Sequence, residues 1–590
     1  MSRLSTVLFG CAILTIVACS QSFSGNGDEV YMSHSLAMVE TASGDNEDGS
    51  FAGHYLAAII AQRNHDWQAA SRFINKVLDG DANNEELKSR AMILAMGAGD
   101  YEQALSLAHD LKDNEKFNAI SRLILTMHAI KKGAFDEASK EIERIESDKK
   151  VELVRPVINA WIEAGQGKFD STALAANPLY VFDALNMAAL LENKEKVGAV
   201  LNAAIENKSI ITEDLEKIGD ILYLNKLNDE ALALFKKALS VNLYPAGRIA
   251  EKIMLLEKGR PFPKEILTAT ASESIQHGTA RSLYDIATLL FDKGADNSAR
   301  LFTSMALYLD QDFSQARFLM GKIIARSGQF DEALQQFSAI SPEDKVYIMA
   351  KRESADILEQ ANQHLEAIKI LNTLANEYGD LEARIQIGDI HRRKENFEDA
   401  VDAYNNAFAH VSNPDDPSTW HLYYVRGMAL ERLGNWESAE RDLKKALEFR
   451  PDHPYILNYL GYSWADQGTN LEKALKMIRR AVKLRPDDGY IVDSLGWVLF
   501  RMGKVEEARK YLEQAVELLP YDPVINDHLG DVYWSVGRRT EAKFQWRRAL
   551  DYAEDQKLVT SIKKKISDGL QKNTVMEAMT NVEESTGYNP

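Results

Sequence analysis

The chain has 590 residues, of which 45% are hydrophobic and 27% charged, so it reads as globular yet too long for one compact core. Its 88 acidic against 69 basic residues give a net charge of −19, which repels phosphate backbones at range and excludes nucleic acid as a partner. The same balance favours solubility and partners with basic surfaces.

Residues 1–18 read as an export signal: Arg3 supplies a thin positive start, the stretch from Val7 to Val17 is largely apolar, and small Ala18 precedes Cys19. The apolar run is too short to span a bilayer. Ile16-Val17-Ala18-Cys19 resembles the bacterial lipobox, with Ile16 in place of the usual leucine. The resemblance implies cleavage before Cys19 and lipid attached to it. Ser20 stands where an inner-membrane retention signal would have aspartate, which implies anchoring at the periplasmic face of the outer membrane. The alternative is an ordinary secretory signal with an incidental cysteine. Only Cys11 and Cys19 exist, so acylation of the second leaves no disulfide and stability must come from packing. Residues 19–50, rich in Ser, Gly, Asn and Asp, are expected to be a flexible tether. The acidic run 45–48 lacks the closing glutamate of a calcium loop.

A repeat then fills the chain. Ala70, Ala104 and Ala138 are spaced by 34 residues, and Gly99, Gly133 and Gly167 hold the same step. From Ala138 to Ala231 the interval is nine short of three periods, and KFDSTALAANPLYVF places a proline where a second helix is due, so a helix there is short or missing. Ala231 to Ala299 spans two periods and implies a degenerate hairpin. Residues 260–278, with two prolines near the start and Ser and Thr through the middle, are expected to be an irregular joint between an N-terminal array (51–259) and a C-terminal one (279–550). Ala333, Ala367 and Ala400 continue the column, and VSNPDDPS is expected as a surface loop.

Between residues 420 and 550 the pattern is written four times. Gly427, Gly461, Gly496 and Gly530 share a column, as do Gly434, Gly468, Gly503 and Gly537 seven residues on. Ala439, Ala474, Ala508 and Ala542 follow, then Ala446, Ala481, Ala515 and Ala549, and three copies close on Pro451, Pro486 and Pro520. Two helices of about a dozen residues plus two turns consume this period, so each copy is a helical hairpin. The first glycine and the alanines let helix axes approach, the second glycine suits a helix C-terminal turn, and the proline stops the second helix. About fourteen or fifteen hairpins are expected between residues 51 and 550. Leu558, Ile562, Ile566 and Leu570 predict an amphipathic capping helix over 551–572, followed by a disordered tail, 573–590.

Leu495-Gly496, Ala508, Leu512, Ala515 and Pro520 resemble the tetratricopeptide repeat (TPR), as do Leu529-Gly530, Tyr533, Ala542, Trp546 and Ala549. Leu499 departs from the family's aromatic, and the fourth copy lacks its proline. The resemblance implies an all-α TPR helical-hairpin solenoid, a right-handed α-superhelix whose first helices face a concave groove. Carried onto this chain, that groove is lined by Tyr490, Asp493, Trp497 and Phe500, then by Asp527, Asp531 and Trp534. The preceding copies add Tyr424, Tyr455, Asn458 and Tyr462. Aromatic rings among acids offer anchoring surface with charge selection for a basic or extended segment; Trp497 reads equally as packing between repeats.

No phosphate-cradling glycine loop, His-Glu-x-x-His, Gly-x-Ser-x-Gly or zinc-holding cysteine pair is present. The expectation is a chain that is not an enzyme, with no catalytic residue, cofactor or metal. Arg479-Arg480, Arg538-Arg539 and Arg547-Arg548 read as ordinary helix exteriors, and Lys563-Lys564-Lys565 as an exterior or a membrane-docking patch. Lipobox, tether and long array together look like the large bacterial TPR lipoproteins, one type of which is an adaptor for a periplasmic carboxyl-terminal processing protease. That likeness implies a lipid-anchored scaffold delivering substrates to a protease. The alternative is an assembly factor for outer-membrane protein insertion, pilus secretion or polysaccharide export; copurification separates the two.

Overall fold

A computed structural model describes residues 50–570, apart from 146–147, 169–173, 192–193, 242–245, 264–265 and 269–271. The expected signal segment, Cys19, the tether up to residue 49 and the tail 573–590 lie outside the described residues. The protein is all-α: among the described residues there are helices, short 3-10 turns and no strand. No described helix is long and apolar enough to cross a membrane.

Helices alternate as first and second members of hairpins, from Phe51–Arg63 with Trp67–Gly80 to Pro523–Ser535 with Arg539–Tyr552. Two hairpins are incomplete. Among the described residues, the second position after Arg155–Gly165 holds only the 3-10 turn Leu174–Ala176, and after Ala246–Glu257 no second helix is described before Ile275–Asp292. The missing helix after Gly167 and the degenerate unit after Ala231 fall at these places.

The alanine column is the contact line within each hairpin. Ala70, Ala104, Ala138, Ala231, Ala299 and Ala333 have no exposed surface, and neither do Ala367, Ala400, Ala439, Ala474, Ala508 and Ala542. Opposite them stand the glycines of the first helices. A Cβ on Gly496 would lie 2.5 Å from Leu512 Cγ, and one on Gly530 2.4 Å from Trp546. Gly219, Gly321 and Gly388 meet Phe235, Phe337 and Tyr404 in the same way, which places three fainter repeats in the same geometry. A large side chain fills the space that the absent Cβ leaves, and the two helices interlock there.

Turn geometry repeats as closely. Gly434, Gly503 and Gly537 adopt φ of 85°, 75° and 84° two residues before the second helix starts. Where glycine is absent, Lys226, Asn362 and Glu395 take φ of 62°, 60° and 59° at the same place. Asp488 and Asp522 then cap first helices, each carboxylate accepting two backbone N–H bonds.

The chain divides into two compact units, Met1–Ile357 and Leu358–Pro590. The expected joint at 260–278 would have ended the first segment near residue 259. Instead, one apolar core runs through the first unit from Ala58 to Ile357. The reason is a fold-back: Ile275–Asp292 and Asp296–Leu309 pack on the first helices Glu85–Ala98, Asn118–Lys131, Arg155–Gly165 and Val181–Leu190. Buried Arg300 donates to the Gly97 carbonyl at 2.9 Å with its guanidinium over the Trp67 ring. Tyr308 meets His128 at 2.5 Å, and fully buried Trp161 donates to Ser282 at 2.7 Å.

The proline-rich segment is a packed crossover that makes the return possible. Phe262 stacks on Tyr223 at 3.8 Å, and Thr268 donates through both its amide and its hydroxyl to Asp220 at 2.6 Å. Beneath it, fully buried Lys252 bridges Glu216 and Asp220, each at 2.7 Å. These charges are sealed inside and satisfy one another.

Gly496→Ala is expected to destabilise the second unit by about 1–3 kcal/mol through crowding against Leu512. Gly503→Ala meets nothing within 4 Å, so its cost of about 1–2 kcal/mol comes from the left-handed backbone alone. Both are read as shifts in the denaturation midpoint of the second unit; an unshifted midpoint for Gly496→Ala would contradict the helix contact.

Candidate protein-binding surface

The residues placed on the groove by resemblance all sit on first helices of the second unit, and the structure sorts them by what covers them. Asp493, Phe500, Asp527 and Asp531 are buried; Tyr424, Asn458, Tyr462, Trp497 and Trp534 are half-buried; Tyr455 and Tyr490 are exposed at 43% and 59%. Three positions before the crossing glycine and one after it lies the seam between consecutive first helices.

At the seam between the last two hairpins, both oxygens of Asp493 lie 3.0 Å from His528 Nδ1. Burial works against a charged His528, yet the carboxylates of Asp493, Asp527 and Asp531 together outweigh it and raise the imidazole above its usual range. Trp497 stacks on that ring with centroids 4.0 Å apart and planes 15° from parallel, and also touches Phe500 at 5.5 Å. Both readings of Trp497 are thus visible: one face packs between repeats while the ring stays half-exposed.

The last first helix is closed by Gln556–Asp568, which occupies part of the span expected for the capping helix, with Ile562 fully buried. Lys565 Nζ reaches Asp527 at 2.7 Å and Asp531 at 2.8 Å, and Trp546 Nε1 donates to Asp531 at 3.0 Å. Burial, opposed by Lys565, moves the Asp531 carboxyl up to about 6. Trp534 lies between Trp546, at 5.3 Å, and the Arg539 guanidinium, at 3.9 Å. The lysine run is therefore split: Lys563 and Lys564 are exposed, whereas Lys565 serves the seam.

What stays open is the strip across residues 420–497. Trp420 meets His453 at 4.7 Å, Tyr455 lies 5.9 Å from the same imidazole, and Tyr424 packs edge-on against Tyr459 at 6.2 Å. Burial pushes the Tyr424 phenol up to about 12 and lowers His453. Asn458 Oδ1, His453 Nδ1 and Trp497 Nε1 are buried atoms that find no hydrogen-bond partner among the described residues. Trp420, His453, Tyr459, His528 and Lys565 were not picked out by the glycine count; for His528 the usable signal was its spacing of 35 from Asp493, one period plus a residue.

Tetratricopeptide repeat models match residues 379–452, 424–488 and 492–522. This stretch consists of tetratricopeptide repeats. Among solved structures, the Cut9–Hcn1 hetero-tetramer of the APC/C is 16% identical over 90% of this chain and 98% of that one, with a TM-score of 0.39. YrrB, described as a TPR protein with an unusual peptide-binding site, is 21% identical over 33% of this chain and 96% of its own (TM-score 0.25). PilF of Pseudomonas aeruginosa is 18% identical over 35% and 93% (TM-score 0.27). A sequence comparison with curated proteins finds no match.

The other buried titratable groups are structural. Asp183, pushed up to about 8 by burial and then by Asp285, accepts from Ser282 at 2.5 Å inside the first unit. No group of three or more His, Cys, Asp or Glu among the described residues is placed to hold a metal ion.

Lys565→Met leaves Asp527 and Asp531 buried without their cation, a loss of about 3–5 kcal/mol for a buried pair broken from one side. The helix Gln556–Asp568 is expected to lose amide-exchange protection, and adding Asp527→Asn and Asp531→Asn to recover it. Undiminished protection in the single variant would contradict the pairing.

Proposed function

We propose that the chain is a protein-interaction scaffold whose docking face is the open first-helix strip across residues 420–497. The observation that carries this reading is the run of exposed and half-buried rings along these first helices. In the first unit the corresponding first-helix faces are filled by the chain's own helices Ile275–Asp292 and Asp296–Leu309. Tyr455 and Tyr490 offer exposed rings for apolar side chains of an extended segment.

The proposal extends to location. Ile16-Val17-Ala18-Cys19 followed by Ser20 supports a chain held by lipid at the periplasmic face of the outer membrane. Lipobox and array together support an adaptor that brings substrates to a carboxyl-terminal processing protease. Capture from detergent-solubilised envelope is the test. A protease among the captured proteins is expected; a β-barrel or secretin in its place would overturn the adaptor reading in favour of machine assembly.

Tyr455→Ala with Tyr490→Ala removes two exposed rings, so the unfolding midpoint is expected to hold while recovery of the captured partner falls by tenfold or more, about 1.4 kcal/mol. Undiminished recovery would remove the strip from the binding site. Cys19→Ser is expected to move the protein from the membrane fraction to the soluble periplasm; the unsubstituted protein appearing in that soluble fraction would sink the anchor.

A further inference from the structure

The outer face of the last hairpin differs from every other second-helix face of its unit. Two residues after the buried alanine, the preceding hairpins carry Lys369, Asp402, Arg441, Lys476 and Lys510. In Arg539–Tyr552 that position is Phe544, 62% exposed. Phe544, Arg548 and Tyr552 follow at four-residue steps and so share one side of the helix. The Arg548 guanidinium lies over Tyr521 at 5.5 Å, and Tyr521, 61% exposed, packs against Tyr552 at 5.2 Å. The result is a stripe of three exposed rings around one arginine. Beside it run Lys543 and Arg547, which have no carboxylate partner among the described residues.

Charge singles out the same place. In a chain of net charge −19, residues 538–564 hold eight basic and four acidic side chains, Lys565 being taken up by the seam. Lys557, Lys563 and Lys564 on Gln556–Asp568 are exposed as well. A local positive surface on an acidic protein attracts an acidic segment while the surrounding charge repels extended anionic surfaces. Glu541, Asp551, Glu554 and Asp555 interrupt the basic side chains. These acids oppose docking on an extended anionic surface such as a bilayer, which favours a short acidic segment as the occupant.

We infer that the outer face of Arg539–Tyr552, with Tyr521, is a second docking site, for an acidic polypeptide segment that carries an apolar or aromatic residue. Phe544, Tyr521 and Tyr552 receive the apolar residue; Lys543 and Arg547 pair with the flanking carboxylates. The site lies on Arg539–Tyr552 and the turn that carries Tyr521, and is independent of the strip across residues 420–497, so either surface can fail without the other.

The test is fluorescence anisotropy of a fluorescein-labelled peptide of Asp and Glu with a central Leu-Phe pair, titrated with the full chain in non-ionic detergent. Binding that weakens with added salt is expected. Lys543→Glu with Arg547→Glu is expected to weaken it by about tenfold or more, and Phe544→Ser by several-fold at every salt concentration. Lys473→Glu with Lys476→Glu, an equal reversal on another second helix, is expected to leave it unchanged. All of these side chains are at least partly exposed, and an unaltered helical circular dichroism spectrum checks the fold. Absence of peptide binding, equal weakening by the two charge reversals, or binding to phosphatidylglycerol vesicles in place of the peptide would each overturn the inference.

Discussion

A helical hairpin of this kind buries one face of its first helix against its own second helix and leaves another face uncovered, and the architecture follows from how that second face is covered. Within a hairpin the problem is solved locally, by glycine and alanine on one side and a large side chain on the other, as at Gly530 and Trp546. Between hairpins it is solved by the next copy, which brings His528 onto Asp493 and Trp497. At the end of the array there is no next copy. There Gln556–Asp568 takes its place, and Lys565 supplies the charge that Asp527 and Asp531 require.

The first unit meets the same requirement by a different route. After Ala246–Glu257 its chain returns and lays Ile275–Asp292 and Asp296–Leu309 over the first helices Glu85–Ala98, Asn118–Lys131, Arg155–Gly165 and Val181–Leu190. Among the described residues, a second position occupied by Leu174–Ala176 and no helical partner for Ala246–Glu257 are the irregularities that accompany the return. The first-helix faces of the first unit are thereby committed to folding. The strip across residues 420–497 keeps exposed and half-buried rings, which is why it carries the functional proposal.

The hairpins were legible because their contacts recur with the period: Ala70 and Ala542 lie far apart in sequence, occupy the same column and have the same full burial. Turn positions were legible only where glycine marks them. Lys226, Asn362 and Glu395 adopt the same backbone without announcing it. The fold-back was not legible, since it joins residues such as His128 and Tyr308, 180 positions apart, and no period spans that interval. Among the groove residues the glycine count located the first helices, yet a count on one copy cannot see what the next one brings. Asp493 read as groove lining because its partner His528 sits one repeat later, and Asp527 and Asp531 because Lys565 looked like part of a solvated lysine run.

The fold-back separates a chain whose N-terminal first-helix faces are occupied from one in which they are free, and a cross-link measures it directly. His65 and Asn297 approach to 3.2 Å at the surface of the first unit across 232 residues of sequence. With Cys11 and Cys19 replaced by serine, a His65→Cys, Asn297→Cys protein treated with a short bifunctional maleimide is predicted to form an intramolecular cross-link when native and to lose it in denaturant. Native protein that stays uncross-linked while both thiols react would contradict the fold-back.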